Sequence, residues 1–141
     1  MRTYEYRHTI GFEETNVVGN VYYANHVRWQ GRCREMFLRD NAKEIIAEIA
    51  NGLSLVTTRV SCEYFNELFA FDEVIIRMRA GPVSQNRVTM LFDYLRKDEN
   101  NNEELIARGE QQIACMRKDG ERVFPVPVPE VLATALLSYM E

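Results

Sequence analysis

The chain has 141 residues, 17 Lys+Arg against 21 Asp+Glu, and a formal net charge of −4. That length allows one domain, expected over 1–141, and 46% hydrophobic residues are too many for a disordered chain. The acidic balance excludes nucleic-acid binding through bulk charge, and no apolar run reaches a membrane span.

In chain order, residues 4–11 predict a strand, with Tyr4, Tyr6, His8 and Ile10 on one face and Glu5 and Arg7 on the other. Residues 13–20 read as a loop, supplied with turn chemistry by Asn16, Gly19 and Asn20. A long helix is expected over 21–40, where Trp29, Cys33, Met36 and Phe37 recur at helical spacing. Ala24, Val27, Gly31 and Leu38 form a second apolar strip, which predicts a helix enclosed on two sides. Gly31 costs such a helix about 1 kcal/mol relative to Ala, so a close backbone neighbour is expected there.

A second helix over 42–50 stops at Asn51-Gly52. Four alternating segments follow, at 54–66, 73–80, 87–97 and 103–118, and predict strands. Lys97 to Asn102 is a polar hairpin loop and Asp119-Gly120 a further turn. Pro125, Pro127 and Pro129 cannot continue a central strand, and a short helix is expected over 130–139. The fold class is therefore α+β, with a curved, mostly antiparallel sheet around one principal helix. The edges of such a sheet invite a second subunit.

Chemistry has few candidates. Cys33, Cys62 and Cys115 are odd in number and widely spaced, which argues against a disulfide framework. With His8 and His26 as the two histidines, no metal-ligand spacing arises. Gly52-Leu53-Ser54-Leu55-Val56 misses a nucleophile elbow in its last residue and precedes a strand, so Ser54 reads as a strand start. One stretch stands out: a polar, glycine-bearing loop from Glu14 runs straight into the long helix. Backbone N–H groups at that helix start can hold an oxyanion, with Asn16 close by. Asn16 and Asn25 can equally be turn and cap residues. Arg34 can pair with Asp40 or Glu35, or face a groove among Val27, Gly31 and Leu38. Glu35 and Glu63 are the rival carboxylates, read first as ion-pair residues.

Glu13-Glu14-Thr15-Asn16-Val17-Val18-Gly19-Asn20-Val21-Tyr22-Tyr23-Ala24-Asn25 resembles the motif E-D-T-D-x-x-G-x-V-Y-x-A-N of hotdog-fold thioesterases of the 4-hydroxybenzoyl-CoA thioesterase type. The continuation from Arg28 to Leu38 resembles the thioesterases of enediyne polyketide biosynthesis. The resemblance implies a single hotdog domain in the cytoplasm, assembled as a homotetramer (a dimer of dimers), with no cofactor and no metal. It implies hydrolysis of a β-keto polyene thioester carried by the acyl carrier domain of an iterative polyketide synthase.

The wider family has aspartate where this chain has Asn16, and a carboxamide cannot serve as a general base. By the resemblance Asn16 orients water or the thioester, Arg34 binds the substrate carbonyls and His26 adds a hydrogen bond. Gly19, Tyr22, Tyr23, Ala24 and Glu63 are the expected substrate contacts. An apolar tunnel is expected, drawn from one Trp, seven Tyr, seven Phe and six Met. The alternatives are a general acyl-CoA thioesterase of this fold, a hotdog dehydratase and a non-catalytic acyl- or carrier-binding module.

Overall fold

The structure is a computed structural model that describes residues 2–140. Met1 and Glu141, the ends of the expected domain, lie outside the described residues. Strand β1 (Tyr4–Thr9) leads through a 3-10 turn, Phe12–Glu14, to helix α1 (Ala24–Asn41) and then to α2 (Lys43–Ala50). Strands β2 (Leu53–Tyr64), β3 (Glu73–Ser84), β4 (Arg87–Lys97), β5 (Glu103–Asp119) and β6 (Arg122–Pro125) follow, and α3 (Glu130–Leu137) closes the chain. The strands form one antiparallel sheet in the order β1-β3-β4-β5-β2, with β6 paired to the end of β5.

Alternation places the core. Val74, Ile76, Met78 and Ala80 of β3, and Val88, Met90, Phe92 and Tyr94 of β4, meet Trp29, Cys33 and Phe37 of α1. Each such side chain contributes roughly 1.5–3 kcal/mol on full burial, and the sum holds the helix in the curl of the sheet. β2 is an edge strand, and its residues Val56 to Ser61 are exposed. No helix among the described residues is long and apolar enough to cross a membrane.

Four features differ from the sequence expectation. α1 begins at Ala24 rather than residue 21, because Val21 is tied sideways: it bridges Thr15 and its N–H donates to the Leu68 carbonyl at 2.8 Å. β3 does not stop at Ala80; a bulge between Ala80 and Val83 absorbs Gly81-Pro82 and the strand continues to Ser84. β6 is a short strand that the proline run concealed. The helix is enclosed on one side only within this chain. Val27 is 36% exposed, and a Cβ placed on Gly31 would meet nothing within 4 Å, so no backbone approaches there.

Candidate active site

Three polar residues stand in a row on the face of α1 that meets β2 and β5. His26, Gln30 and Arg34 lie at i, i+4 and i+8, a track of about 12 Å along the helix.

His26 is 3% exposed, yet neither ring nitrogen has a hydrogen-bond partner. Its ring packs on Trp29, Tyr64 and Tyr94, with centroids 5.1, 4.7 and 5.6 Å away. Burial pushes its pKa down to about 4, so the imidazole is neutral near pH 7. His26 lines a cavity of about 200 Å³ with Asn20, Tyr23, Tyr64 and Asn66.

Gln30 is fully buried. Its Nε2 donates to the Ser61 carbonyl at 3.0 Å, which leaves Oε1 unpaired. The amide fits because position 109 is glycine: a Cβ on Gly109 would come within 2.0 Å of Gln30 Nε2.

Arg34 is half-buried, and burial lowers its pKa below the ordinary value against a smaller opposing pull from the nearby Glu35 charge. Its Nη1 donates to Thr57 Oγ1 at 3.0 Å and to Gln111 Oε1 at 3.2 Å, both neutral acceptors. The two carboxylates that could have paired with it are engaged elsewhere: Glu35 with Arg32 at 3.2 Å, Asp40 with Arg39 at 2.8 Å. No carboxylate among the described residues lies within ion-pair distance of Arg34. A half-buried cation with neutral partners alone is costly unless an anionic or strongly polar group completes it.

The loop ahead of α1 is a tight turn. The Asn16 N–H donates to the Asn20 carbonyl at 2.7 Å and the Gly19 N–H to the Asn16 carbonyl at 2.9 Å. Gly19 closes this turn at φ +100°, a left-handed conformation that favours glycine. Asn16 Nδ2 donates to Asn20 Oδ1 at 3.2 Å, so Oδ1 of Asn16 faces no donor among the described residues. Asn20, the partner of Asn16, lines the cavity beside His26, so it links the Asn16 turn to that end of the track. Arg34 sits two helical turns away.

Asn25 does not cap the helix; its Nδ2 donates to the Glu14 carbonyl at 2.8 Å. Among the described residues no acceptor meets the N–H of Tyr23 or Ala24, and both point out of the first turn as free donors. Tyr22 and Tyr23 are exposed and in contact, with centroids 4.7 Å apart, and the Tyr23 carbonyl accepts the Tyr64 hydroxyl at 2.7 Å. Glu63 is not brought to the site. Cys62 and Tyr64 turn toward the helix, so Glu63 leaves β2 on the opposite face and is exposed.

Sequence reasoning missed Glu14 and Gln30. Glu14 is 7% exposed and the carboxylate nearest in sequence to Asn16. His8 Nε2 donates to its Oε1 at 2.7 Å, the Gly11 N–H to Oε1 at 3.0 Å and Trp29 Nε1 to Oε2 at 2.8 Å. Burial alone would raise its pKa, but the Gly11, His8 and Trp29 donors outweigh this and hold it below the usual carboxylate value. Among the described residues no three His, Cys, Asp or Glu side chains gather as a metal site would require.

A curled antiparallel sheet wrapped on one long helix is the hotdog arrangement. The thioesterase-like superfamily matches residues 10–136, and the chain belongs to it. A putative esterase of Aquifex aeolicus (strain VF5) is 30% identical over 128 residues, 90% of this chain and 95% of that protein. The dynemicin thioesterase, solved in a crystallographic study of polyene binding, is 44% identical over 99% of both chains with a TM-score of 0.94. A 4-hydroxybenzoyl-CoA thioesterase variant in complex with 4-hydroxybenzoyl-CoA shares the fold. Its TM-score is 0.83 at 16% identity, over 96% of this chain and 99% of that one.

Proposed function

We propose that the protein is a thioesterase of enediyne polyketide biosynthesis, hydrolysing a β-keto polyene thioester held on an acyl carrier domain. The observation that carries this reading is Arg34: a half-buried guanidinium with neutral partners, on the helix face that the acyl group would follow. A β-keto thioester offers two neighbouring carbonyl oxygens, and a planar fork of donors suits such a pair. The 44% identity to a polyene-binding thioesterase supports the acyl class. The Tyr23 and Ala24 amides would receive the oxyanion, Asn16 would orient the attacking water through its free Oδ1, and neutral His26 would donate or accept one hydrogen bond. No cofactor or metal enters this scheme.

A cavity of about 200 Å³ is smaller than most ligand pockets, which run to about 300–1,000 Å³. Met78, Met90, Phe37, Phe92 and Tyr94, counted toward the expected tunnel, are packed in the core instead of lining one. The exposed side chains that flank the cavity are Tyr22, Tyr23, Tyr64, Phe65 and Phe69. A second copy paired along the open edge of β2 would roof them, and two such dimers would make the tetramer.

The test is hydrolysis of a carrier-bound β-keto polyene against the matching CoA ester, by wild type and Asn16→Ala, with products identified by mass spectrometry. Rapid release of acid from the carrier and a loss of about 10²–10³ in Asn16→Ala are expected. Equal turnover of the CoA ester would favour a general acyl-CoA thioesterase, and binding without turnover a non-catalytic module.

A further inference from the structure

We infer that Glu14 is a positioning residue, which locks the Asn16 loop and the Trp29–His26 pair into one rigid arrangement at the start of α1. Five hydrogen bonds converge on this one residue. Its carboxylate accepts from His8 of β1, from the Gly11 N–H of the 3-10 turn and from the Trp29 indole of α1. Its carbonyl accepts from the Tyr22 N–H at 2.9 Å and from Asn25 Nδ2 at 2.8 Å. Asn16 follows two residues later, at the start of the next turn, so that turn begins from a fixed point.

The other arm runs through Trp29. The indole N–H held by Glu14 sets the tilt of a ring that lies 5.1 Å from His8 on one side and 5.1 Å from His26 on the other. The His26 ring, with no hydrogen bond at either nitrogen, depends on such packing for its orientation. Glu14 is not the general base that Asn16 lacks. Three donors occupy its oxygens, it is almost fully buried, and a carboxylate so stabilised as the anion has little affinity for a proton.

A glutamine at position 14 would turn its NH₂ toward at least one of the three donors and break the lock with little change in volume. The inference rests on the catalytic reading of Asn16, and a double-mutant cycle separates the two. We would measure kcat, KM and melting temperature for wild type, Glu14→Gln, Asn16→Ala and the double variant. Glu14→Gln is expected to lower kcat about tenfold in the wild-type background, leave KM within about twofold, and cost almost nothing further in Asn16→Ala. Trp29→Phe, which removes one donor and keeps an aromatic ring, replaces Glu14→Gln in the same cycle if the latter does not fold. A slow Asn16→Ala combined with an equal kcat loss in both backgrounds overturns the positioning role alone. So does a lowered melting temperature with kcat unchanged. Wild-type turnover in Asn16→Ala overturns the catalytic reading of Asn16, and the inference with it.

Discussion

Two regions of this small protein treat arginine in opposite ways. On the outer face of the sheet, Arg77 is gripped by Glu5 at 2.6 Å and by Glu103, and these carboxylates raise its pKa above the ordinary value. Nearby, Arg79 and Arg108 share Asp93, and Arg96 is matched with Asp72 and Glu104. In the groove beneath α1, Arg34 has Thr57 and Gln111, and burial lowers its pKa. In the first region each of these arginines faces at least one carboxylate. The second contains an undercompensated cation, two unpaired ring nitrogens on His26 and an unpaired amide oxygen on Gln30. Interiors normally satisfy such groups, and their concentration along one helix face supports the polar-ligand site proposed above.

The largest expected effect separates these arginines directly. Arg34→Ala should cut hydrolysis of a β-keto thioester by about 10²–10³ while the melting temperature holds or rises, because an undercompensated charge is removed. Arg77→Ala should leave turnover within about twofold and cost about 1 kcal/mol or less, as exposed ion pairs do. Single-turnover rates with thermal melts decide it; equal rates in the two variants would erase the distinction. Arg34→Lys sharpens the point. It keeps the charge and loses the fork, so the β-keto substrate should suffer about tenfold and a plain acyl thioester less.

The next effect concerns protons. Folded His26 takes up its proton near pH 4, whereas the unfolded chain does so near 6.5. Between those values the unfolded state binds more protons. Stability should therefore fall as pH drops from about 6.5 toward 4, by at most about 1.4 kcal/mol per pH unit, and be free of this penalty above 6.5. His26→Phe should flatten that slope in pH-dependent melts; an unchanged slope would mean that the imidazole is not held neutral. The smallest effect is ionic. Raising salt to about 1 M should weaken the Arg77 network by a few tenths of a kcal/mol and leave the Arg34→Ala difference in stability intact.

Alternation in β3, β4 and β5 made those strands readable, because a sheet with one buried face repeats every two residues. The loop–helix stretch from Glu13 to Asn25 was readable as a family motif, and it carried the thioesterase family and drew attention to Asn16. Other features left no local trace. The Gly81-Pro82 bulge looks like a strand end, because only the paired strand β4 shows that the ladder resumes at Val83. Asn25 looks like a cap, and its true acceptor lies eleven residues back at Glu14.

The sequence by itself determined an α+β fold with one principal helix, and its likeness to a family motif proposed the hotdog form, a helix-start site with asparagine in place of the family aspartate, and Arg34 as a residue to suspect. These follow from periodicity and from a contiguous motif, which are properties of neighbours along the chain. Only the tertiary structure decided that Arg34 has no acidic partner among the described residues, that Glu63 faces away, and that Glu14 binds three elements together. Each of these depends on residues from 6 to 77 positions apart meeting in space. Sequence spacing constrains such meetings weakly, because the curl of the sheet around α1 sets which side chains come within reach.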